Sequence, residues 1–139
     1  MKELTRVNHI GLRVSSFEAA TSFYGKLGFE YVAGPSGPEP VAIVEHPCGI
    51  NINFILNASN KDGVNVLMDT QEKLTGYTHV ALEVSNINAV IENLTAMDIP
   101  LSGGPMNHPT GTSIFIRDPD RNVIEFIEYM ALANFRSNL

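Results

Sequence analysis

The chain has 139 residues, a single-domain length that buries roughly two-thirds of its unfolded surface without staples. Its formal net charge of −6, with no Lys/Arg cluster, speaks against nucleic acid and anionic membranes as partners. One cysteine, Cys48, excludes an internal disulfide and suits a reducing compartment. The N-terminus lacks the apolar core of a signal peptide, and no apolar run approaches the roughly 20 residues that cross a bilayer, so a cytoplasmic protein is expected.

Residues 7–14 alternate in the manner of a strand. A helix follows, opened by Ser15-Ser16-Phe17-Glu18, a capping-box pattern with Glu18 three residues after Ser15. Its apolar stripe is Phe17, Ala20, Tyr24 and Leu27, and Gly28 ends it. Short strands are expected over about 29–33, 41–45 and 50–56. The polar stretch from Asn57 to Gly76 is too long for a tight turn and reads as a linker or cover. The pattern then restarts with a strand over 78–84. A helix after Ser85 carries the stripe Ile87, Val90, Ile91, Leu94 and Met97, and Pro100 prevents its extension. Strands over about 99–102, 113–117 and 122–129 complete the second copy, and the tail from Ala131 adds a helical turn or frays. Gly103-Gly104-Pro105 reads as a turn, because it lacks the lysine and following helix of a phosphate loop. His46 and His108 read as turn or exposed residues near prolines.

The two halves repeat. A shift of 70 residues lays His9 on His79, Leu12 on Leu82, Val14 on Val84, Ser15 on Ser85 and Ala19 on Ala89. A shift of 72 lays Ile52 on Ile124, Asn53 on Glu125, Phe54 on Phe126 and Ile55 on Ile127. The expected fold is α+β, a single domain of two βαβββ modules. Module one covers about 5–57, the linker about 58–76 and module two about 77–130.

Strand parity then selects a set of polar residues. Ile10, Leu12 and Val14 share the helix-facing side of their strand, as do Val80, Leu82 and Val84, Ile52 and Phe54, and Ile124 and Phe126. His9, Asn53, His79 and Glu125 take the opposite face, as two repeat-related pairs. Two imidazoles and a carboxylate suit one divalent ion, with Ni, Zn, Co, Mn and Fe(II) all acceptable, and an amide oxygen adds a fourth ligand.

At these residues the sequence resembles the vicinal oxygen chelate superfamily, which includes glyoxalase I, extradiol dioxygenases, methylmalonyl-CoA epimerase and fosfomycin- and bleomycin-resistance proteins. The segments that carry the resemblance are Val7 to Val14, Phe23-Tyr24 to Phe29, Thr78 to Val84, and Asp118-Pro119-Asp120-Arg121-Asn122 to Phe126. The resemblance implies an open, U-shaped mixed sheet with helices outside, a small-molecule substrate, a homodimer, and His9, His79 and Glu125 as metal ligands. Asn53 stands where relatives carry glutamate or glutamine.

A lactoylglutathione lyase-like reaction is the first expectation: a metal-stabilised enediolate, with Glu125 as both ligand and proton carrier. Arg13 and Asn57 stand where the resemblance implies contacts to the substrate's glutathione. The alternative is an Fe(II) extradiol dioxygenase with His9, His79 and Glu125 as its triad. At the family's helper-tyrosine position, beside the substrate, this chain has Phe115. A fosfomycin transferase is expected less, since Gly11 stands at its threonine position. A metal-free small-molecule-binding or antibiotic-resistance protein is a further alternative. Arg121 stands where relatives carry a turn glycine, at a cost of roughly 1 kcal/mol if it is left-handed.

Overall fold

A computed structural model describes residues 1–60 and 62–130. The expectation for the tail from Ala131 lies outside the described residues. The chain divides into two compact units, Met1–Gly63 and the residues from Val64 on. Each unit is one βαβββ module, as the repeat implies.

The first unit holds β1 (Ile10–Arg13), α1 (Phe17–Lys26), β2 (Glu30–Ser36), β3 (Val41–Glu45) and β4 (Asn51–Ile55). Its four-stranded sheet has the order β1-β4-β3-β2, with β1 parallel to β4 and the other pairs antiparallel. The second unit repeats this with β5 (His79–Glu83), α2 (Ile87–Ala96), β6 (Gly103–His108), β7 (Gly111–Arg117) and β8 (Val123–Tyr129), in the order β5-β8-β7-β6. A parallel pair needs a crossover connection, and in each module a helix begins it.

Each helix buries one stripe against its own sheet. Ala20 and Tyr24 of α1 are buried, and the Tyr24 ring meets Phe29 edge-on at 5.8 Å and Phe54 at 5.3 Å. Phe54, Val44 and Ala42 are almost fully buried there. In the second unit Ile87 and Leu94 of α2 are buried, as are Ile114, Ile116 and Ile124 of the sheet.

The caps differ in detail from the sequence reading. Ser16, not Ser15, caps α1, its hydroxyl accepting from the Ala19 amide at 3.1 Å. Glu18 sits in the first turn, where its charge favours the helix dipole. Asn86 caps α2, and that helix has no acidic residue in its first turn. Glu128 of β8 supplies the charge instead, accepting from the Ile87 amide at 2.6 Å.

The strand expected over 99–102 lies later, at β6. Gly104 has φ 82°, and a Cβ there would come within 2.6 Å of the Ser113 carbonyl oxygen. The Gly-Pro pair looks like a turn in sequence, but here it is a bulge within a strand that still pairs with β7. Gly34-Pro35 makes the same bulge in β2.

The turn between β7 and β8 is tied by the buried Asp118. Its carboxylate accepts from the Asp120 amide, the Asn122 amide and Asn122 Nδ2, each at 2.9 Å. Arg121 in this turn has φ 68°, the left-handed conformation that favours glycine. Arg121→Gly is therefore expected to raise unfolding stability by about 1 kcal/mol, measurable by urea denaturation. An unchanged or lower stability would show that the turn carries no such strain.

Candidate functional site

The parallel register of β5 on β8 pairs Ala81 with Glu125, and His79 with Val123. Paired residues share a face, so His79 and Glu125 emerge on one side, away from α2. There His79 Nε2 lies 3.7 Å from Glu125 Oε2. That is too long for a hydrogen bond. It is close to the separation of roughly 3.4 Å expected for two tetrahedral ligands of one ion, each about 2.1 Å from it. The glutamate side chain is 15% exposed and the histidine 36%. Phe115, paired with Glu125 across β7 and β8, stands edge-on to the His79 ring at 6.1 Å.

The first unit has a histidine and an asparagine at the matching positions. Gly11 pairs with Asn53 in the parallel register of β1 on β4. His9 lies immediately before β1, two residues from Gly11, as His79 lies two from Ala81. Asn53 thus takes the position of Glu125, and its side chain has no hydrogen-bond partner among the described residues.

Each histidine is also oriented in the same way. His9 Nδ1 is 2.8 Å from Asn8 Oδ1, and His79 Nδ1 is 2.8 Å from Thr78 Oγ1. The Asn8 oxygen only accepts, so His9 Nδ1 donates to it, and Nε2 is the ring nitrogen outside this contact. A partner on one ring nitrogen that frees the other is the usual support for a metal-binding imidazole. Sequence inspection missed these partners, although both are polar residues directly preceding the histidine. Within neither unit do three His, Cys, Asp or Glu side chains gather as a metal-holding group among the described residues.

Arg13 and Asn57 are neighbours. Arg13 Nε donates to Asn57 Oδ1 at 2.9 Å. Glu39, which the sequence reading passed over, joins them: its Oε1 accepts from Asn57 Nδ2 at 2.7 Å and lies 3.5 Å from an Arg13 terminal nitrogen. This triad is well exposed, with the Arg13 side chain 60% accessible.

The remaining histidines have local roles. His46 Nδ1 accepts from the Cys48 amide at 3.1 Å, and its ring meets Phe29 at 5.3 Å. His108 is a strand residue, half-buried, with Nε2 2.8 Å from the buried Ser113 hydroxyl and Nδ1 3.1 Å from Thr110.

Residues 64–76 form no strand, and one side-chain pair ties them to the sheet. Arg117 donates to both oxygens of Asp69, at 2.9 and 3.1 Å. The hydrogen bonds from Arg117, and then that from the Asn65 amide, hold the Asp69 carboxyl below the usual carboxylate range.

The family model described as Glyoxalase/Bleomycin resistance protein/Dioxygenase superfamily matches residues 6–126. The chain belongs to this superfamily. Among curated members, mitochondrial methylmalonyl-CoA epimerase of Bos taurus is 30% identical over 66% of this chain and 53% of its own length. Lactoylglutathione lyase of Schizosaccharomyces pombe is 27% identical over 88% of this chain and 45% of its own. The chain thus spans about half the length of these two relatives. Lactoylglutathione lyase of Neisseria meningitidis is 27% identical over 88% of this chain and 90% of its own. Among solved structures, the fosfomycin resistance protein FosX of Listeria monocytogenes, complexed with Mn(II) and sulfate, superposes with TM-score 0.69 at 17% identity. It covers 98% of this chain and 99% of its own. An antibiotic-binding protein of Streptomyces, TnmS3, superposes with TM-score 0.70 at 21% identity, over 92% of this chain and 98% of its own. No helix among the described residues is long and apolar enough to cross a membrane.

The Asp69 pair yields a pH prediction. A carboxyl lowered in the folded state contributes stability that is full above its unfolded value of about 3.9, and loses it as pH falls through the folded value. The stability gap between wild type and Asp69→Asn should therefore be constant from neutral pH down to about pH 5, and close below about pH 4. Chemical denaturation across that range checks it; a gap unchanged at pH 2 would contradict it.

Proposed function

We propose that the chain is a divalent-metal-dependent lyase or isomerase of lactoylglutathione lyase type, acting on a small molecule. The observation that carries this reading is the His79 and Glu125 pair, 3.7 Å apart, with its repeat-related counterpart His9 and Asn53. The similarity to the Neisseria meningitidis lyase over most of both chains supports it.

In this reading His9, His79 and Glu125 hold one ion, with the Asn53 amide oxygen as a fourth donor. The donor set of two imidazoles, a carboxylate and an amide accepts Ni, Zn, Co, Mn or Fe(II). When bound, the ion supplies a Lewis acid that draws developing negative charge onto substrate oxygens. Everything else falls to side chains. Glu125 takes the proton from the carbon beside the substrate carbonyl and returns it to the neighbouring carbon, because it is the carboxylate on this face next to His79. Asn53, an amide, has no such capacity, so the two modules divide the work unequally. Phe115 walls the Glu125 carboxylate with an apolar ring. Arg13 offers a guanidinium to a substrate carboxylate, with Asn57 and Glu39 fixing its direction.

Two measurements test this. Protein stripped of metal by chelation should bind one equivalent of Ni(II), Zn(II) or Mn(II) by calorimetry, and His79→Ala should lose that binding while its circular dichroism stays native. Stoichiometric binding retained in His79→Ala would overturn the ligand assignment. With metal restored, turnover of the hemithioacetal of glutathione and methylglyoxal is expected, and Glu125→Gln should lower it by about 10²-fold or more. Oxygen uptake with Fe(II) and a catechol, without hemithioacetal turnover, would replace the lyase by a dioxygenase.

A further inference from the structure

Arg117 shares a face with the His79 and Glu125 pair. The register runs His79 to Val123 across β5 and β8, and Val123 to Arg117 across β8 and β7. Residues paired in this way point to the same side, so Arg117 flanks the pair at the β7–β8 turn end of the sheet. Its side chain is only 15% exposed.

The guanidinium is engaged by the protein itself. Its two terminal nitrogens grip the Asp69 carboxylate in a fork, and one of them also donates to the Arg121 carbonyl at 2.8 Å. The Nε group is buried without a hydrogen-bond partner. Asp69 arrives on residues 64–76, a segment of turns and bends. Asn65 ties the same segment to the turn through the Arg121 carbonyl, at 3.0 Å. Lys73 closes the segment on itself by donating to the Met68 and Thr70 carbonyls.

We propose that Arg117 is a carboxylate-binding subsite on the face of the His79 and Glu125 pair, and that Asp69 occupies it as an internal competitor. The planar fork that takes Asp69 takes any carboxylate of a small molecule with the same two bonds. A tethered competitor acts at a high effective concentration, commonly of millimolar order. A free carboxylate therefore gains the subsite only when other contacts hold its molecule on the same face. Its arrival releases Asp69 and loosens the segment that carries it. The link from this subsite to catalysis rests on the proposed function; the anion exchange at Arg117 does not.

The test uses chelator-treated, metal-free protein, so its outcome is separate from that of the metal assignment. Acetate is the probe, and chloride at equal ionic strength is the control. In Asp69→Ala, acetate should shift the Arg117 Nε–H resonance saturably, at a concentration at least tenfold below that needed in wild type. In wild type, acetate but not chloride should speed amide hydrogen exchange across residues 64–76, and Arg117→Lys should weaken that effect severalfold. No saturable shift in Asp69→Ala, or saturation at the same concentration in both proteins, would overturn the proposal. Should Asp69→Ala fail to fold, the wild-type exchange decides alone: equal rates in acetate and chloride would overturn it.

Discussion

Glu125 reaches His79 because β5 lies parallel to β8 in one register, with Ala81 opposite Glu125. A slip of one residue would turn every side chain of a strand to its other face. It would carry Glu125 into the packed side under α2 and bring Phe126 out. The apolar residues forbid that slip: Ile124, Ile114 and Ile116 are almost fully buried on the helix side. The polar pair is thus positioned by hydrophobic burial rather than by its own attraction. The same holds for Asn53 opposite Gly11, where Ile52 and Phe54 fix the register.

The repeat gives the two modules matching positions filled by unequal residues. Both modules present a histidine two residues before the small residue that faces the site position of the last strand, Gly11 in one and Ala81 in the other. Both histidines are turned by a polar neighbour, Asn8 or Thr78, so that Nε2 is the nitrogen left over. Only one module then adds a carboxylate. In the proposed reaction one group that both ligates and moves a proton suffices, and a second carboxylate would add charge without adding a second reaction.

Much of this was legible in the sequence, because strand period is a local signal and the repeat lets one module be read against the other. Both helices follow from their apolar stripes, and the β3 boundaries and the faces of His79 and Glu125 follow from alternation. The failures have physical reasons. β6 was misplaced because Gly104-Pro105 carries turn chemistry, yet a bulge absorbs it and pairing continues to His108. The spacing to Glu18 points to Ser15, yet Ser16 is the residue with extended backbone whose hydroxyl reaches the Ala19 amide. Arg117 and Asp69 stand 48 residues apart, and nothing in either neighbourhood marks them as partners. Glu39 was invisible for the same reason, although it completes the triad with Arg13 and Asn57.

The proposed function rests on the two repeat-related histidines serving one ion through the same ring nitrogen. Nuclear magnetic resonance of the imidazoles, with one equivalent of Co(II) added to metal-free protein, reads this directly. The account predicts that His9 and His79 both shift strongly at one equivalent, each bound through Nε2 with its Nδ1–H retained, while His46 and His108 keep sharp, little-shifted signals. Strong shifts at only one of the two histidines, or coordination through Nδ1 at either, would contradict it.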